Sequence, residues 1–287
     1  MKKITVLLAL TFLGAFVVPG CSREDDDAAS IKAWIKADTV WFNANTTVDT
    51  TKTDSTAYIL MMPDSTKGIL WWRGPQTHDT AIVDIKIVGD SAWVEWSRTN
   101  IGKLGILALV ARDSATDTLV YWEKDVYETT KLRGIFRKTN EDTAFDGWIL
   151  EKVSCAVGSS DNGTVRIDSI HIASSEYGEW INDPLSRFYD LDSLVTFHSQ
   201  EDVTVTLYAN DPETEAFLHT FILFWPYYVR AEFPDMGGGV HEGTWKAQAI
   251  PFPRFAIFDL MSQSTIWGSQ VTYNFYGVLF PYNIKWP

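Results

Sequence analysis

The sequence predicts a mainly β chain with one or more N-terminal helices, in which an α+β curved antiparallel sheet is followed by a β-sandwich. Three observations lead there. Helical periodicity is clear only near the start, where Ile31, Trp34, Ile35, Trp41 and Phe42 keep close to the spacing of one buried helix face. From residue 57 onward Val, Ile, Thr and aromatic residues dominate, and several runs alternate apolar and polar side chains with the period of a strand. Beyond residue 165 turn residues cut the chain into short strand-like runs, as in a sandwich.

Residues 1–20 have the parts of a secretory signal: Lys2 and Lys3, an apolar run over 4–18, and the small residue Gly20. The run is shorter than the roughly 20 residues a membrane-crossing helix needs. Thr5, Thr11 and Gly14 interrupt it, so cleavage is expected. The junction Val18-Pro19-Gly20-Cys21 resembles the lipobox of bacterial lipoproteins, with Pro19 a departure from the commonest pattern. That resemblance implies acylation of Cys21, which becomes the mature N-terminus and holds the protein to a membrane; a plain secreted protein is the alternative. Residues 21–30, with "SREDDDAAS" after the cysteine, read as an acidic tether. Ser22 resembles the residue that follows the cysteine in outer-membrane lipoproteins, and "REDDD" resembles acidic signals for export to the cell surface. The implied address is the bacterial cell envelope, at the outer membrane and facing outward; a merely solvated spacer is the alternative. With Cys21 acylated, Cys155 is the remaining one of two cysteines, which excludes a disulfide framework within the chain. It sits in the strand-like run "LEKVSCAV" and reads as a small buried hydrophobe.

The formal charge is −13, and cleavage would also remove Lys2 and Lys3. This balance, with no basic cluster, excludes nucleic acid as a partner and disfavours flat adhesion to anionic lipid. The longest later apolar run, 217–229, is too short to span a bilayer and contains His219 and Pro226.

Residues 26–42 are the expected helix, and the Thr-rich stretch 43–56 a loop. In "AIVDIKIVGDSAWVEW", Ala81, Val83, Ile85 and Ile87 share one strand face and Asp84 and Lys86 the other. Gly89-Asp90 turns the chain into Ala92, Val94 and Trp96. Further strands are expected at 104–110, 119–127, 132–138 and 148–155, separated by turns at 113–117 and 140–147. In "ILWWRG" the adjacent Trp71 and Trp72 must face opposite ways. The hairpin "VGDSAWV" (88–94), the closing segment "DGWILEKVS" (146–154) and the preceding helix together resemble the nuclear transport factor 2-like fold over 31–155, although that fold has three helices. A lipocalin-like meander barrel is the competing architecture.

"AVGSSDNGT", 156–164, reads as a linker between domains. Seven strands are expected after it, at 165–172, 193–199, 203–208, 217–225, 240–248, 254–261 and 271–279. "FPDMGGGVHEGTWKAQ" resembles a hairpin of bacterial immunoglobulin-like domains, which implies an immunoglobulin-like or fibronectin type III-like β-sandwich over 165–287. The Cys…Trp…Cys framework of true immunoglobulin domains is missing.

No hydrolase, zinc-protease, thiol-redox or nucleotide-loop motif is present. The five histidines are scattered, so no catalytic residue, metal ligand or cofactor is assigned. Asp183, Asp190 and Asp192 form a conceivable surface Ca²⁺ site, weighed against a solvated turn. Gly237–Gly239 before His241 reads as a hairpin turn rather than an anion-binding loop. His78, Trp96, Tyr121 and Glu123 are the candidate pocket residues on the strands of the first domain. The 13 tryptophans read as core filler; a carbohydrate platform requires an exposed one. The expected function is that of a lipid-anchored envelope protein with a ligand- or partner-binding role and no catalysis, its partner a protein or glycan. The alternative is a nuclear transport factor 2-like small-molecule enzyme using general acid–base chemistry in the concave sheet pocket.

Overall fold

The computed structural model of the chain describes residues 23–43, 66–111, 117–140, 144–221, 228–247, 254–268 and 272–285. The signal segment, Cys21 and the Thr-rich stretch beyond residue 43 lie outside the described residues. The architecture is mainly β: an N-terminal helix, a strongly curled antiparallel sheet and a second, smaller sheet.

Helix α1, Arg23–Ala37, starts earlier than the periodicity indicates and absorbs most of the expected acidic tether. Glu24, Asp25 and Asp26 occupy its first turn and Lys36 its last, the polarity that the helix dipole favours. Asp27 is buried. It accepts a hydrogen bond from the Trp148 indole at 3.0 Å and pairs with the Lys138 ammonium. Ile31 and Ile35 face the core, and Trp34 meets Phe42 and Phe136 edge-on. Asp38 ends the element: its carboxylate accepts from the backbone N–H groups of Val40, Trp41 and Phe42. That turn folds Trp41 and Phe42 back into the core.

The strands follow as β1 (Thr66–Arg73), β2 (Thr77–His78), β3 (Ile82–Val88), β4 (Ser91–Ala111), β5 (Asp117–Lys138), β6 (Trp148–Ser154) and β7 (Ala156–Ser160). Then come β8 (Ile167–Ala173), β9 (Gly178–Ile181), β10 (Phe188–Asp190), β11 (Thr196–His198), β12 (Asp202–Ala209), β13 (Thr214–Phe221) and β14 (Tyr228–Phe233). The chain ends with β15 (Asp235–Gly237), β16 (Val240–Lys246), β17 (Arg254–Ser262), the short helix α2 (Gln263–Trp267) and β18 (Phe275–Lys285). The β3–β4 hairpin turns at Gly89-Asp90 with Val88 opposite Ser91, and Gly89 takes a φ of 61° that disfavours other residues. Strands β4 and β5 pair without interruption from Ser91↔Arg137 to Ala111↔Asp117. The pieces expected at 119–127 and 132–138 are therefore parts of one strand, because Glu128–Lys131 between them holds no turn residue.

Along β5 the even positions from Lys124 to Phe136 point inward and are buried, while most odd ones point toward solvent. The segment read as a linker instead holds β7, which is hydrogen-bonded to β5 on one side and β18 on the other. Its small residues suit a crowded sheet centre as well as a turn; only 161–164 leave the ladder. Ser154 interrupts the β6–β7 run: its hydroxyl accepts from the Arg133 N–H and donates to the Cys155 carbonyl. Cys155 is fully buried, and burial pushes its thiol well above the ordinary range.

The large sheet runs β1-β4-β5-β7-β18-β17-β13-β14, with β2, β3, β6, β10 and β11 on side branches. It curls until its ends meet. The Arg230 guanidinium of β14 donates to the Trp71 carbonyl of β1 and lies 3.6 Å from the Trp71 ring centroid, and Trp71 packs on Phe217 of β13. The second sheet, β15-β16-β12-β8-β9, lays Ile170, Ile172, Val203, Val205, Leu207 and Trp245 into the same core as Phe258, Phe280 and Tyr282 of the large sheet. This is the sandwich-like layer expected after residue 165, but one of its two sheets continues into the first half of the chain. The "GGG" turn forms as expected, with positive φ at Gly237, Gly238 and Gly239, and Trp245 returns to the core.

Asp27 and Asp26 separate a packed helix from a solvated tether. Asp27→Ala leaves the Trp148 N–H and the Lys138 ammonium short of an acceptor and is expected to reduce unfolding free energy by about 1–3 kcal/mol. Asp26→Ala, at an exposed position, should change it by less than about 0.5 kcal/mol. Urea titration of both variants checks the pair.

Candidate functional site

The structure separates the four candidate residues into two places. His78 and Trp96 line a cleft of about 640 Å³ between α1 and the strands β2–β4. Tyr121 and Glu123 lie on the outward face of β5, five to eleven residue rows further along the long hairpin, roughly 15–35 Å at the usual rise per residue. There the Tyr121 hydroxyl donates to Glu123, and its ring stacks on Trp72, centroids 5.8 Å apart. Trp72 lies so close over Gly105 that any Cβ there would meet the indole at 2.6 Å. Tyr121 is 51% exposed, and the arrangement is a surface aromatic stack. Trp71 points the other way, into the core.

The cleft combines an apolar wall with a cationic rim. Ile35, Phe42 and Trp96, core residues of which only an edge reaches the cleft, form the wall with the partly buried Val83; Lys32, Lys36 and Arg98 carry the positive charge. Lys32 and Lys36 are one helical turn apart on α1, the i, i+4 spacing that puts both ammonium groups on one side. Arg98 lies 5.2 Å from the Trp96 ring centroid and donates weakly to Asn43; partial burial lowers its pKa. Of the two lining carboxylates, Asp38 is engaged by the three backbone N–H groups of its own turn, which leaves Asp79. His78 stands at the edge: its Nδ1 donates to the Asn100 amide oxygen at 2.8 Å, and the Asn100 amide nitrogen donates to Thr130 at 3.0 Å.

Asn100 and Thr130 begin a buried polar belt that the sequence reading misses. Inward positions of β4 and β5 are apolar on both sides of it: Ala92, Val94, Trp96, Leu132 and Phe136 belong to one core cluster, Leu104, Ile106, Ala108 and Val126 to another. Between them lie Asn100, Glu128 and Thr130, all fully buried. Glu128 accepts a hydrogen bond from the Tyr273 hydroxyl, which in turn accepts from Arg73 Nε at 3.0 Å. Arg73 Nη1 donates to Asp259 Oδ2 at 2.7 Å, and His219 Nε2 lies 2.7 Å from the same oxygen. Five side chains from β1, β5, β13, β17 and the approach to β18 thus meet inside the curl.

Their titration follows from that environment. Burial raises the Glu128 carboxyl from 4.5 to about 7, against the opposing pull of the Arg73 charge and the Tyr273 hydrogen bond. Burial acts on Asp259 in the same direction, but Arg73 and His219 outweigh it and hold its pKa below the usual value. Arg73 stays charged, its own desolvation exceeded by Asp259, Tyr273 and Glu128. Such a group could move protons, yet Glu128, Asp259, His219, Arg73 and Tyr273 are all buried, so in this conformation it is sealed from any substrate. One sequence signal would have found it: strand parity puts Glu128 and Lys124 on the face of Val126, Leu132 and Phe136. The surface acids at 183, 190 and 192 serve local turns, with Asp183 accepting from Ser186 and Asp190 from the Asp192 N–H. Among the described residues no cluster of three or more His, Cys, Asp or Glu side chains is placed to hold a metal ion.

Two outcomes are expected. Removing one partner of the buried ion pair, as in Asp259→Asn, should reduce stability by about 3–5 kcal/mol, because the Arg73 charge stays buried; chemical denaturation at neutral pH measures it. Glu128 binds its proton more tightly in the folded than in the unfolded chain, so its contribution to stability is full below pH 4.5 and is lost as pH rises toward 7. Glu128→Gln should therefore flatten the fall of stability between those pH values, read from denaturation midpoints across that range.

A scan against protein-family models, a search of curated proteins and a search of solved structures each return no match to this chain.

Proposed function

We propose that this chain is a lipid-anchored cell-envelope protein, attached through Cys21, that binds a small amphipathic anion in the cleft between α1 and β2–β4 and does not catalyse a reaction on it. The observation that carries the reading is the pairing of charge and apolar surface in one cleft. In a chain of formal charge −13, three cationic side chains gather around a wall of Ile35, Phe42, Val83 and Trp96. Neither Lys32 nor Lys36 has an ion-pair partner among the described residues. The volume lies in the range of small-molecule pockets, roughly 300–1,000 Å³. A ligand with a carboxylate on an apolar body would meet the ammonium groups at the rim and the aromatic wall with its tail. Attachment at the membrane through Cys21 is supported by the charged start, short apolar run and Gly20-Cys21 junction, and an acidic body would stand clear of an anionic leaflet.

The general acid–base alternative has one observation in its favour, the buried His219–Asp259 and Glu128–Tyr273 pairs. Their closure from solvent favours binding over turnover.

Titration calorimetry with laurate as probe and dodecyltrimethylammonium as its charge-reversed control tests the site. Laurate should bind saturably with one site, and Lys32→Ala/Lys36→Ala should weaken it by about tenfold or more, near 1.4 kcal/mol. Equal binding of the cationic amphiphile, or laurate affinity unchanged in the double variant, overturns the assignment. Palmitate labelling in a bacterial host should mark the wild type and not Cys21→Ala; label retained in the variant overturns the anchor.

A further inference from the structure

The second sheet buries one face against the large sheet and turns the other to solvent. Its register aligns four side chains of the outer face in a row across the strands: Trp180 on β9, His171 on β8, Thr206 on β12 and Glu242 on β16. One row away Thr204 and Thr244 face each other, hydroxyls 3.2 Å apart, and Tyr208 lies on the other side of the row. His171 stacks on the Trp180 indole, centroids 4.5 Å apart and planes within 20°. Tyr208 meets the same indole at 5.4 Å.

These distances fix how the indole lies. β8 separates β9 from β12, so the two backbones are about 10 Å apart. Rings 5.4 Å apart therefore reach toward each other across β8. The indole stacks on His171, touches Tyr208 and still keeps 53% of its surface exposed. Cross-strand aromatic pairing stabilises a sheet by only roughly 0.2–1 kcal/mol and does not require half of the largest side chain to stay in water. Further along the row the Thr206 hydroxyl donates to Glu242 at 2.9 Å; Thr206 is itself buried and holds the exposed Glu242 carboxylate in place.

We propose that this face is a binding platform for a neutral pyranose oligosaccharide, one sugar ring stacked on Trp180 and hydroxyls of the neighbouring sugars hydrogen-bonded to Glu242, Thr204 and Thr244. A pyranose offers what the surface complements: a flat C–H face for an aromatic ring and O–H donors for a carboxylate, the stronger kind of hydrogen bond. Charge selects among partners. On the face Lys246 is paired with Asp202, which leaves Glu242 as its unbalanced charge; with the formal charge of −13 this disfavours nucleic acid, anionic lipid, sulfated or uronic glycans and a second copy of this chain. The site is independent of the cleft beside α1.

The test is affinity electrophoresis and titration calorimetry of the full chain with cellohexaose, laminarihexaose, mannohexaose and xylohexaose, and with a heparin hexasaccharide as the anionic control. At least one neutral oligosaccharide should bind saturably, Trp180→Ala should weaken it by about tenfold or more, and Lys32→Ala/Lys36→Ala should leave it unchanged. Binding to none of the neutral panel overturns the proposal. So does tighter binding of the heparin fragment, or equal affinity in Trp180→Ala. Should Trp180→Ala not fold, Glu242→Gln/Thr244→Val decides: affinity reduced by about fivefold or more supports the platform, and unchanged affinity overturns it.

Discussion

Arg73 and Asp259 meet out of water across 186 residues of chain, guanidinium nitrogen to carboxylate oxygen at 2.7 Å. A charge pair so placed is worth little as a net source of stability, because desolvation offsets most of the attraction, but losing one partner strands the other. Its effect is therefore to fix which strands lie together. Arg73 leaves β1, the first strand of the large sheet's main path, and Asp259 sits on β17 near the other end. Tyr273 and Glu128 extend the contact to the approach to β18 and to β5, and His219 to β13. The pair lies where the curl of the sheet brings its ends together, beside the place where Arg230 of β14 reaches the Trp71 carbonyl.

This constraint also explains how the molecule divides. The polar belt splits the interior of the large sheet into two apolar clusters. The larger holds α1 and the second sheet in place, and each of those leaves a solvent-facing surface with its own chemistry. Beside α1 the surface is a cleft with cations at its rim; on the outer face of the second sheet it is an aromatic platform with hydroxyls and a carboxylate. Neither depends on a motif that a sequence scan recognises, since each is assembled from strands or helices brought together by the register.

Much of the fold was legible in the sequence, and the exceptions have physical causes. The 3.6-residue spacing located α1, and Gly89-Asp90 located the β3–β4 hairpin, because both are local signals. The acidic run that opens α1 has the composition of a solvated tether; composition does not show that Asp27 would find Trp148 and Lys138, residues more than a hundred positions away. The 156–164 segment has turn-forming composition, yet β5 and β18 take its first five residues into the sheet, a long-range outcome that local propensity cannot report. Of the candidate residues, His78 and Trp96 reached a cleft because they lie on the concave side of the sheet. Tyr121 and Glu123 point outward by the alternation already visible in "YWEKDVYETTKLRGIF". The same alternation puts Lys124, Glu128 and Thr130 inward, and charged residues on an apolar face were the legible sign of the buried belt.

A sheet shared by both halves of the chain should open as one unit. Native-state hydrogen exchange of the full chain in low guanidinium, resolved for β4–β5 in the first half and β17–β18 in the second, measures this directly. The slowest amides of both regions are expected to share one opening free energy, and Arg73→Met should lower both by the same amount. Distinct opening energies in the wild type, or a variant that loosens β4–β5 while β17–β18 keep their protection, would contradict a single sheet joined through the buried ion pair.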